Sequence, residues 1–166
     1  MTEFVIRPLA TNEVEALSRL AREIWHAHYP GIISREQIDF MLAQRYSPAA
    51  IHASLAGQRW DAAWTGTQMA GFAHSFADDS TTWKLDKLYV HPAQQRHGIG
   101  QALLQQTKKH ALNAGATRLV LRVNKHNSIA LAAYAKYGFR VYGEHVLDIG
   151  NNFVMDDYLL ELSLCS

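Results

Sequence analysis

Apolar residues recur at two different spacings along the chain, and each spacing predicts a type of element. A short strand is predicted over 4–8. After it, apolar side chains return every three or four residues, as on one face of a helix, at Val14, Leu17, Leu20, Ala21, Ile24 and Trp25. Thr11 is the expected N-cap of this helix, and Tyr29-Pro30-Gly31 is expected to end it.

Two shorter helices are predicted before the first run of strands. Ser34, with Gln37 three residues later, has the pattern of a capping box, in which side chains bond the free backbone groups at a helix start. Ser47 before Pro48 predicts the start of the third helix, because proline is favoured in the first helical turn.

In the next part of the chain apolar and polar residues tend to alternate, which indicates β-strands. Runs over 60–65 and 69–76 flank Gly66-Thr67-Gln68 and predict a hairpin. A further strand over 85–90 is expected to end at His91-Pro92, because proline has no N–H to donate to a neighbouring strand.

The second half of the chain alternates helices with strands. One long helix is predicted by an apolar face made of Ile99, Leu103, Leu104, Thr107, Ala111 and Leu112. It is expected to stop at Ala114-Gly115 and to be followed by a strand over 117–123, a helix over 128–136, and strands over 140–147 and 153–162. This order of elements predicts an α+β arrangement around a mixed sheet.

The segment 95–100, between the 85–90 strand and the long helix, has the composition of a phosphate-binding turn. Gly98 and Gly100 have no side chains, so backbone N–H groups there are free to approach a ligand closely. The helix start adds unpaired N–H donors and a positive dipole end, and Arg96 and His97 add side-chain donors. The third glycine of a dinucleotide motif and the Gly-Lys-Ser/Thr of a P-loop are both absent.

Two motifs resemble those of the GNAT superfamily of acyl-CoA-dependent N-acyltransferases. Gln95-x-x-Gly98-x-Gly100 is similar to the signature Q/R-x-x-G-x-G/A of that family. Further along the chain, the segment N-x-x-A-x-x-x-Y-x-K-x-G-F is reproduced by Asn127, Ala130, Tyr134, Lys136, Gly138 and Phe139. The two matches are independent, and together they identify the chain as a member of the family.

This resemblance implies a fold and a donor. The GNAT-like fold has a mixed, mostly antiparallel sheet of about seven strands, with helices on both faces and a splay between the fourth and fifth strands. The donor is acetyl-CoA, a cosubstrate whose pantetheine arm lies in the splay and pairs with strand backbone as another strand would. The implied reaction is direct acetyl transfer to a primary amine within a ternary complex.

The resemblance also assigns roles to individual residues. Tyr134 occupies the position of the general acid that protonates the thiolate of coenzyme A, although a tyrosine on a helix is more often part of a core. Asn127 is both an expected N-cap and an expected pantetheine ligand. The expected cofactor-binding residues are Leu88, Tyr89 and Val90, acting through their backbones, with Gln95, Arg96, His97, Gly98, Ile99, Gly100, Gln101, Asn127, Tyr134 and Lys136.

The general base is harder to assign. The acidic residue that the family often carries on this strand would fall at Lys84. Asp86 lies two residues further on, on the same face of the strand, and is the candidate catalytic base, acting directly or through water. The alternative is a salt bridge from Asp86 to Lys84 or another neighbouring lysine. His74 is a further candidate because its ordinary pKa is near neutral.

Composition narrows the function further. A single domain over 1–166 is expected, and sixteen Lys plus Arg against fifteen Asp plus Glu argue against a nucleic-acid partner. The one cysteine, Cys165, has no partner for an internal disulfide. No metal site is predicted, since His26 and His28 point in different directions on a helix. With no apolar run of about 20 residues, no membrane span and a cytoplasmic location are expected.

The acceptor is left open by the sequence. The segment 25–39 is similar to the entry helices of bacterial polyamine-acetylating enzymes, so a polyamine or another small amine is expected first and a peptide or protein amine second. The sequence is also compatible with a longer acyl donor, or with a non-catalytic acyl-CoA-binding regulatory module. An acidic cavity would favour the polyamine, yet five aspartates are expected to be solvated, namely Asp39, Asp78, Asp79, Asp156 and Asp157. A homodimer is also expected.

Overall fold

The computed structural model describes residues 3–164, which form five α-helices, two short 3₁₀ turns and a seven-stranded sheet. The helices are α1 (Val14–His28), α2 (Arg35–Tyr46), α3 (Pro48–Leu55), α4 (Ile99–Asn113) and α5 (Ser128–Lys136). The strands are β1 (Val5–Pro8), β2 (Arg59–Thr65), β3 (Gln68–Ala77), β4 (Thr82–Val90), β5 (Arg118–Asn124), β6 (Arg140–Gly150) and β7 (Phe153–Ser163). Cys165 lies outside the described residues.

The sheet has the strand order β1-β2-β3-β4-β5-β7-β6, and β4 with β5 is the parallel pair among the described strands. These two strands pair over three positions, from Thr82 opposite Arg118 to Lys84 opposite Val120. Beyond Lys84 their pairing stops, so the second halves of β4 and β5 separate. The predicted α+β fold and its splay between the fourth and fifth strands are confirmed.

Helices cover both faces of the sheet, and two buried clusters divide the core between them. Helices α1, α2 and α3 pack on one face, around Trp25, Tyr46 and Phe72. Helix α4 packs on the other face through Ile99 and Leu103, and side chains of α5 join the same cluster. The gap between β4 and β5 therefore opens onto both faces of the sheet, and each face is covered by different helices.

Helix starts follow the sequence closely, with one correction. Ser34 Oγ accepts a hydrogen bond from the Gln37 N–H at 3.1 Å, as predicted, and Ser47 caps α3 in the same way. Thr11 is not an N-cap, because a 3₁₀ turn over Thr11–Glu13 precedes α1 and Glu13 accepts a hydrogen bond from the Ala10 N–H. The Gln37 side chain does not complete the capping box. It donates instead to the Val154 carbonyl at 2.8 Å, and this hydrogen bond links α2 to β7.

A second correction concerns the long helix. The apolar spacing predicts Leu112 on the buried face, but Leu112 is 54% exposed while Ala111 is buried, because each residue turns the helix by about 100° and this step takes Leu112 off the buried face. The strand β4 begins at Thr82, three residues before the predicted start, and this early part carries its short pairing with β5.

Candidate active site

A cavity of about 460 Å³ opens where β4 and β5 separate. It is bounded by β4 and β5, by α1, α2 and α5, and by the ends of β6 and β7. Such a volume is typical of small-molecule sites. We call one side the β4 wall, made of residues 84–89 with Arg45 of α2, and the other the β7 wall, made of Met155 and Asp157 with Leu147 and Ile149 of β6.

The turn at 95–100 has the shape expected of a phosphate site. Gly98 is the N-cap of α4 with a φ of 84°, and a Cβ placed on it would meet no atom within 4 Å. The Gln95 side chain donates to the Val90 carbonyl at 3.2 Å, and His97 Nδ1 donates to the Gln94 carbonyl at 3.2 Å. These two side chains bond backbone carbonyls and stabilise the turn. The backbone N–H groups of the turn are then available to bind an anion.

Arg96 has a left-handed backbone in the same turn, with a φ of 66°. This conformation is strained for any residue with a Cβ, and strain of this kind concentrates at functional sites. Gln101 is exposed in the first turn of α4, and Lys136 is exposed in the last turn of α5. The structure therefore places Gln101 and Lys136 outside the cavity lining, and their predicted cofactor contacts stay predictions.

Tyr134 lines the cavity from α5. Its ring packs edge-on against Phe139, with the ring centres 5.4 Å apart. Burial raises the pKa of Tyr134 above that of a free phenol. The hydroxyl therefore keeps its proton at neutral pH, as a general acid must.

Asn127 connects the start of α5 to the end of α1. Its Oδ1 accepts from the Ala130 N–H at 3.3 Å, so the predicted N-cap is confirmed. The same oxygen lies 3.2 Å from His28 Nε2. Asn127 also lines the cavity, and its amide nitrogen is the group available for a pantetheine carbonyl, a role that stays a prediction.

Asp86 lies at a β-bulge in the β4 wall. Ser75 pairs with Leu85 and His74 pairs with Lys87, so Asp86 is an extra residue. A bulge of this kind sends two successive side chains to one side of the strand. Asp86 and Lys87 therefore lie side by side, and the predicted salt bridge to a neighbouring lysine is confirmed.

Three further groups surround the Asp86 carboxylate: Arg45 at 2.9 Å, His74 at 3.4 Å and Lys84 at 3.8 Å. Burial alone would raise the pKa of Asp86, but the hydrogen bond from His74 and the charges of Arg45 and Lys87 hold it well below its usual range. A carboxylate in this state binds a proton weakly, so its local chemistry argues against the proposed base role. The role of Asp86 as a base stays an untested prediction.

His74 lies on β3, outside the cavity lining. Its ring stacks on Trp60 with the ring centres 4.2 Å apart, and its Nε2 contacts Gln58. Burial lowers the pKa of His74 below its ordinary value. Lys87 is buried beside it, and burial lowers the pKa of Lys87 to about 8. His74 therefore acts on Asp86 from outside the cavity, whereas Lys87 pairs with Asp86 and also lines the cavity.

The sequence prediction for Asp157 is wrong. The pattern predicts a solvated side chain, but Asp157 lines the cavity from β7 and is 2% exposed. Its Oδ2 has no hydrogen-bond donor within residues 3–164, and burial raises the pKa of Asp157 above its usual value. Asp39, Asp78 and Asp79 are exposed as predicted, and Asp156 is half-buried beside Lys125.

The sequence does not predict how the aromatic and charged side chains of the lining are arranged. Tyr29 and Tyr89 share a hydrogen bond between their hydroxyls at 2.7 Å, with Trp25 packed against both rings. The charged lining residues are Arg45, Lys84, Lys87 and Arg122 against Asp86, Asp148 and Asp157. The cavity is therefore nearly charge-balanced and lacks the excess of acid that would favour a polyamine on charge alone.

Two further observations concern the described part of the chain, residues 3–164. None of its helices has the length and apolar character needed to cross a membrane. Its His, Cys, Asp and Glu side chains form no group of three that is suited to holding a metal ion.

Residues 15–139 match the profile of the Acetyltransferase (GNAT) family. Spermidine N(1)-acetyltransferase of Thermoplasma acidophilum is 27% identical over 157 residues, which span 91% of this chain and 94% of that protein. The T. acidophilum PaiA N-acetyltransferase, solved in complex with coenzyme A, superposes with a TM-score of 0.81 at 24% identity, over 97% of this chain and 99% of that one.

A GCN5-related N-acetyltransferase from Rhodopseudomonas palustris shares the fold, with a TM-score of 0.83 at 21% identity over 98% of this chain and 97% of that one. The splayed sheet, the glycine turn at the start of α4 and the family match agree. The chain belongs to the Acetyltransferase (GNAT) family and is an acyltransferase whose acyl donor is acetyl-CoA.

Proposed function

We propose that the protein transfers the acetyl group of acetyl-CoA directly to the primary amine of a small molecule, with Tyr134 as the general acid. The observation that carries this proposal is the position of Tyr134, which lines the cavity where β4 and β5 separate and where the thioester would lie. In this reaction the amine nitrogen attacks the thioester carbonyl carbon, a C–N bond forms and the C–S bond breaks. Tyr134 gives its proton to the departing thiolate.

The predicted cofactor site, made of the 95–100 turn and the exposed edge of β4, supports this order of events. The turn at 95–100 offers backbone N–H groups and a helix start to the pyrophosphate of the cofactor. Beyond Lys84, no described strand pairs with the edge of β4 that faces β5. Alternate backbone groups of residues 88–90 along that edge therefore point into the gap between the two strands. These groups suit the pantetheine amides and the thioester carbonyl.

The acceptor half of the cavity supports a small amine. The spermidine acetyltransferase that is 27% identical makes spermidine the first acceptor to test. The β7 wall adds an apolar strip, formed by Leu147, Ile149 and Met155, along which a methylene chain can pack. Because the lining is nearly charge-balanced, we favour acceptors that place one ammonium group in the cavity over long, highly charged polyamines.

The first experiment measures release of the coenzyme A thiol from acetyl-CoA across a panel of amines, with acetyl-CoA binding measured in parallel. The panel includes spermidine, spermine, small aminoacyl compounds and short peptides. Amine-dependent release with small amines is expected. Tight acetyl-CoA binding without release for any amine would contradict the proposal and favour a regulatory acyl-CoA-binding module.

Tyr134→Phe tests the acid. The variant removes the proton donor and keeps the ring that packs on Phe139, so turnover is expected to fall about 100-fold with little change in acetyl-CoA affinity. Tyr137→Phe is the matched control, because Tyr137 follows α5 directly and lies outside the cavity lining. Unchanged turnover in Tyr134→Phe would refute the acid assignment. A homodimer stays a prediction, to be checked by sedimentation.

A further inference from the structure

Asp157 is a buried carboxylate that the surrounding protein leaves without a partner. It is 2% exposed, it borders the cavity, and its Oδ2 has no hydrogen-bond donor among residues 3–164. Burying an unpaired carboxylate is unfavourable by several kcal/mol in general, so such groups are usually paired or protonated. An unpaired one that borders a cavity is suited to a cationic partner that arrives from outside.

The register of the sheet fixes where this carboxylate points. Asp157 pairs with Asn124 of β5 and with His145 of β6, and directly opposed residues in antiparallel strands share one face. Met155, two residues earlier on β7, belongs to the cluster beneath α1 and α2. Asp157 therefore faces the α1 and α2 side of the sheet, which is the side that remains for the acceptor once the cofactor fills the splay.

The charged and titratable groups that face Asp157 come from every element around it. Arg122 of β5, Arg45 of α2 and His145 of β6 act on it through space and favour its charged form, whereas Asp156 disfavours that form. Tyr29 at the end of α1 is also within electrostatic range. Burial outweighs the cations and raises the pKa of Asp157, so its carboxylate accepts a proton more readily than an ordinary aspartate.

We propose that Asp157 binds the ammonium group of the acceptor and takes its first proton. This inference rests on the proposed function. The ammonium loses one proton to the Asp157 carboxylate and becomes a free amine, which attacks the thioester carbon. After the C–N bond forms and Tyr134 has given its proton to the thiolate, the nitrogen loses its second proton to solvent, and the Tyr134 phenolate takes a proton back from solvent. Asp157 then releases its proton to solvent, and both residues return to their starting states.

The test compares Asp157→Asn with wild type in kcat/KM for an active amine as a function of pH. The amide has the shape of the carboxylate but neither charge nor basicity, so kcat/KM is expected to fall about 100-fold at neutral pH, while the Kd for acetyl-CoA stays unchanged. Without an internal base the variant needs the free amine, so its residual rate rises about tenfold per pH unit below the amine pKa. The deficit against wild type therefore shrinks as the pH rises, which a purely structural role would not produce.

Two variants keep this test decisive. Asp156→Asn is the matched control, because Asp156 is adjacent on β7, pairs with Lys125 and lies outside the cavity lining. Asp157→Glu keeps the charge and is expected to keep the pH profile of wild type at a lower kcat. Suppose that Tyr134→Phe impairs turnover but Asp157→Asn keeps the kcat/KM and the pH dependence of wild type. That result would overturn the role of Asp157 and leave the proposed function intact. Absence of acetylation in wild type for every amine would instead overturn the proposed function.

Discussion

The two walls of the cavity each carry an aspartate, largely buried at Asp86 and fully buried at Asp157, and the two carboxylates have opposite properties. Asp86 in the β4 wall contacts Arg45, Lys87 and His74, and its pKa is held well below the usual range. Asp157 in the β7 wall has an oxygen without a donor among the described residues, and burial raises its pKa. Both residues are aspartates shielded from solvent, so the neighbours decide which carboxylate can accept a proton.

This difference separates structural from chemical roles. The negative charge of Asp86 is already used to balance the cations of the β4 wall, so an acceptor ammonium gains little by approaching it. The Asp157 carboxylate keeps an oxygen that no described residue bonds. The resemblance to the family implies an acid at the position of Lys84, and under our proposal the carboxylate of the opposite wall supplies that chemistry.

The largest expected effect comes from removing a partner of Asp86. Arg45→Met keeps an unbranched, flexible side chain but removes the guanidinium, which leaves the largely buried Asp86 carboxylate with fewer cations. The free energy of unfolding is expected to fall by about 3 kcal/mol, at the low end for a broken buried pair, because Lys87 remains. Urea denaturation measures the loss. Arg45→Met combined with Asp86→Asn should regain much of it, and a double variant as unstable as the single would show that Arg45 acts by packing.

Acid unfolding gives the next effect, and its sign follows from the direction of the pKa shift. A carboxyl group with a lowered pKa stabilises the folded state above its unfolded pKa of about 4, and this contribution disappears as the pH falls. Wild type should therefore lose stability steeply below about pH 4, and Asp86→Asn should lose less across the same interval. Parallel urea midpoints at several pH values test this. Equal slopes for both proteins would contradict the ionised state of Asp86.

The smallest effect has the opposite sign. Asp157→Asn removes an unpaired buried charge, so it is expected to raise the free energy of unfolding by about 1 kcal/mol at neutral pH. Because the pKa is raised, the carboxyl group begins to destabilise the folded state as the pH rises above its unfolded pKa of about 4, and the effect is complete above the folded pKa, so the gain should vanish near pH 4 and below. Thermal unfolding with Asp156→Asn as the control measures it. A less stable Asp157→Asn would mean that the carboxylate has a structural partner.

The predicted cofactor site can be identified from the sequence because each of its two motifs is short. The turn at 95–100 joins a strand to a helix, and Asn127 caps α5, which contains Tyr134. The donors predicted in the turn are backbone groups, and local conformation determines where they point. The fold and splay follow from the same motifs together with the spacing of apolar residues.

The acceptor half is not predictable in the same way. Arg45 is 41 residues away from Asp86 in the chain, and nothing in the local sequence links them. The partnership of Asp86 with Lys87 depends on a β-bulge, which alternation alone does not reveal. Asp157 follows Asp156 on a strand, a pattern that suggests exposure, and only its register opposite Asn124 and His145 places it in the cavity.

The most direct test of the difference between the two walls is a carboxyl ¹³C NMR titration of the aspartates, with resonances assigned from Asp86→Asn and Asp157→Asn. The resonance lost in Asp157→Asn should titrate above the ordinary aspartate value of about 4, and the one lost in Asp86→Asn should stay ionised down to about pH 3. Equal titration of the two carboxyls, or the reverse order, would contradict the division of roles proposed for the two walls.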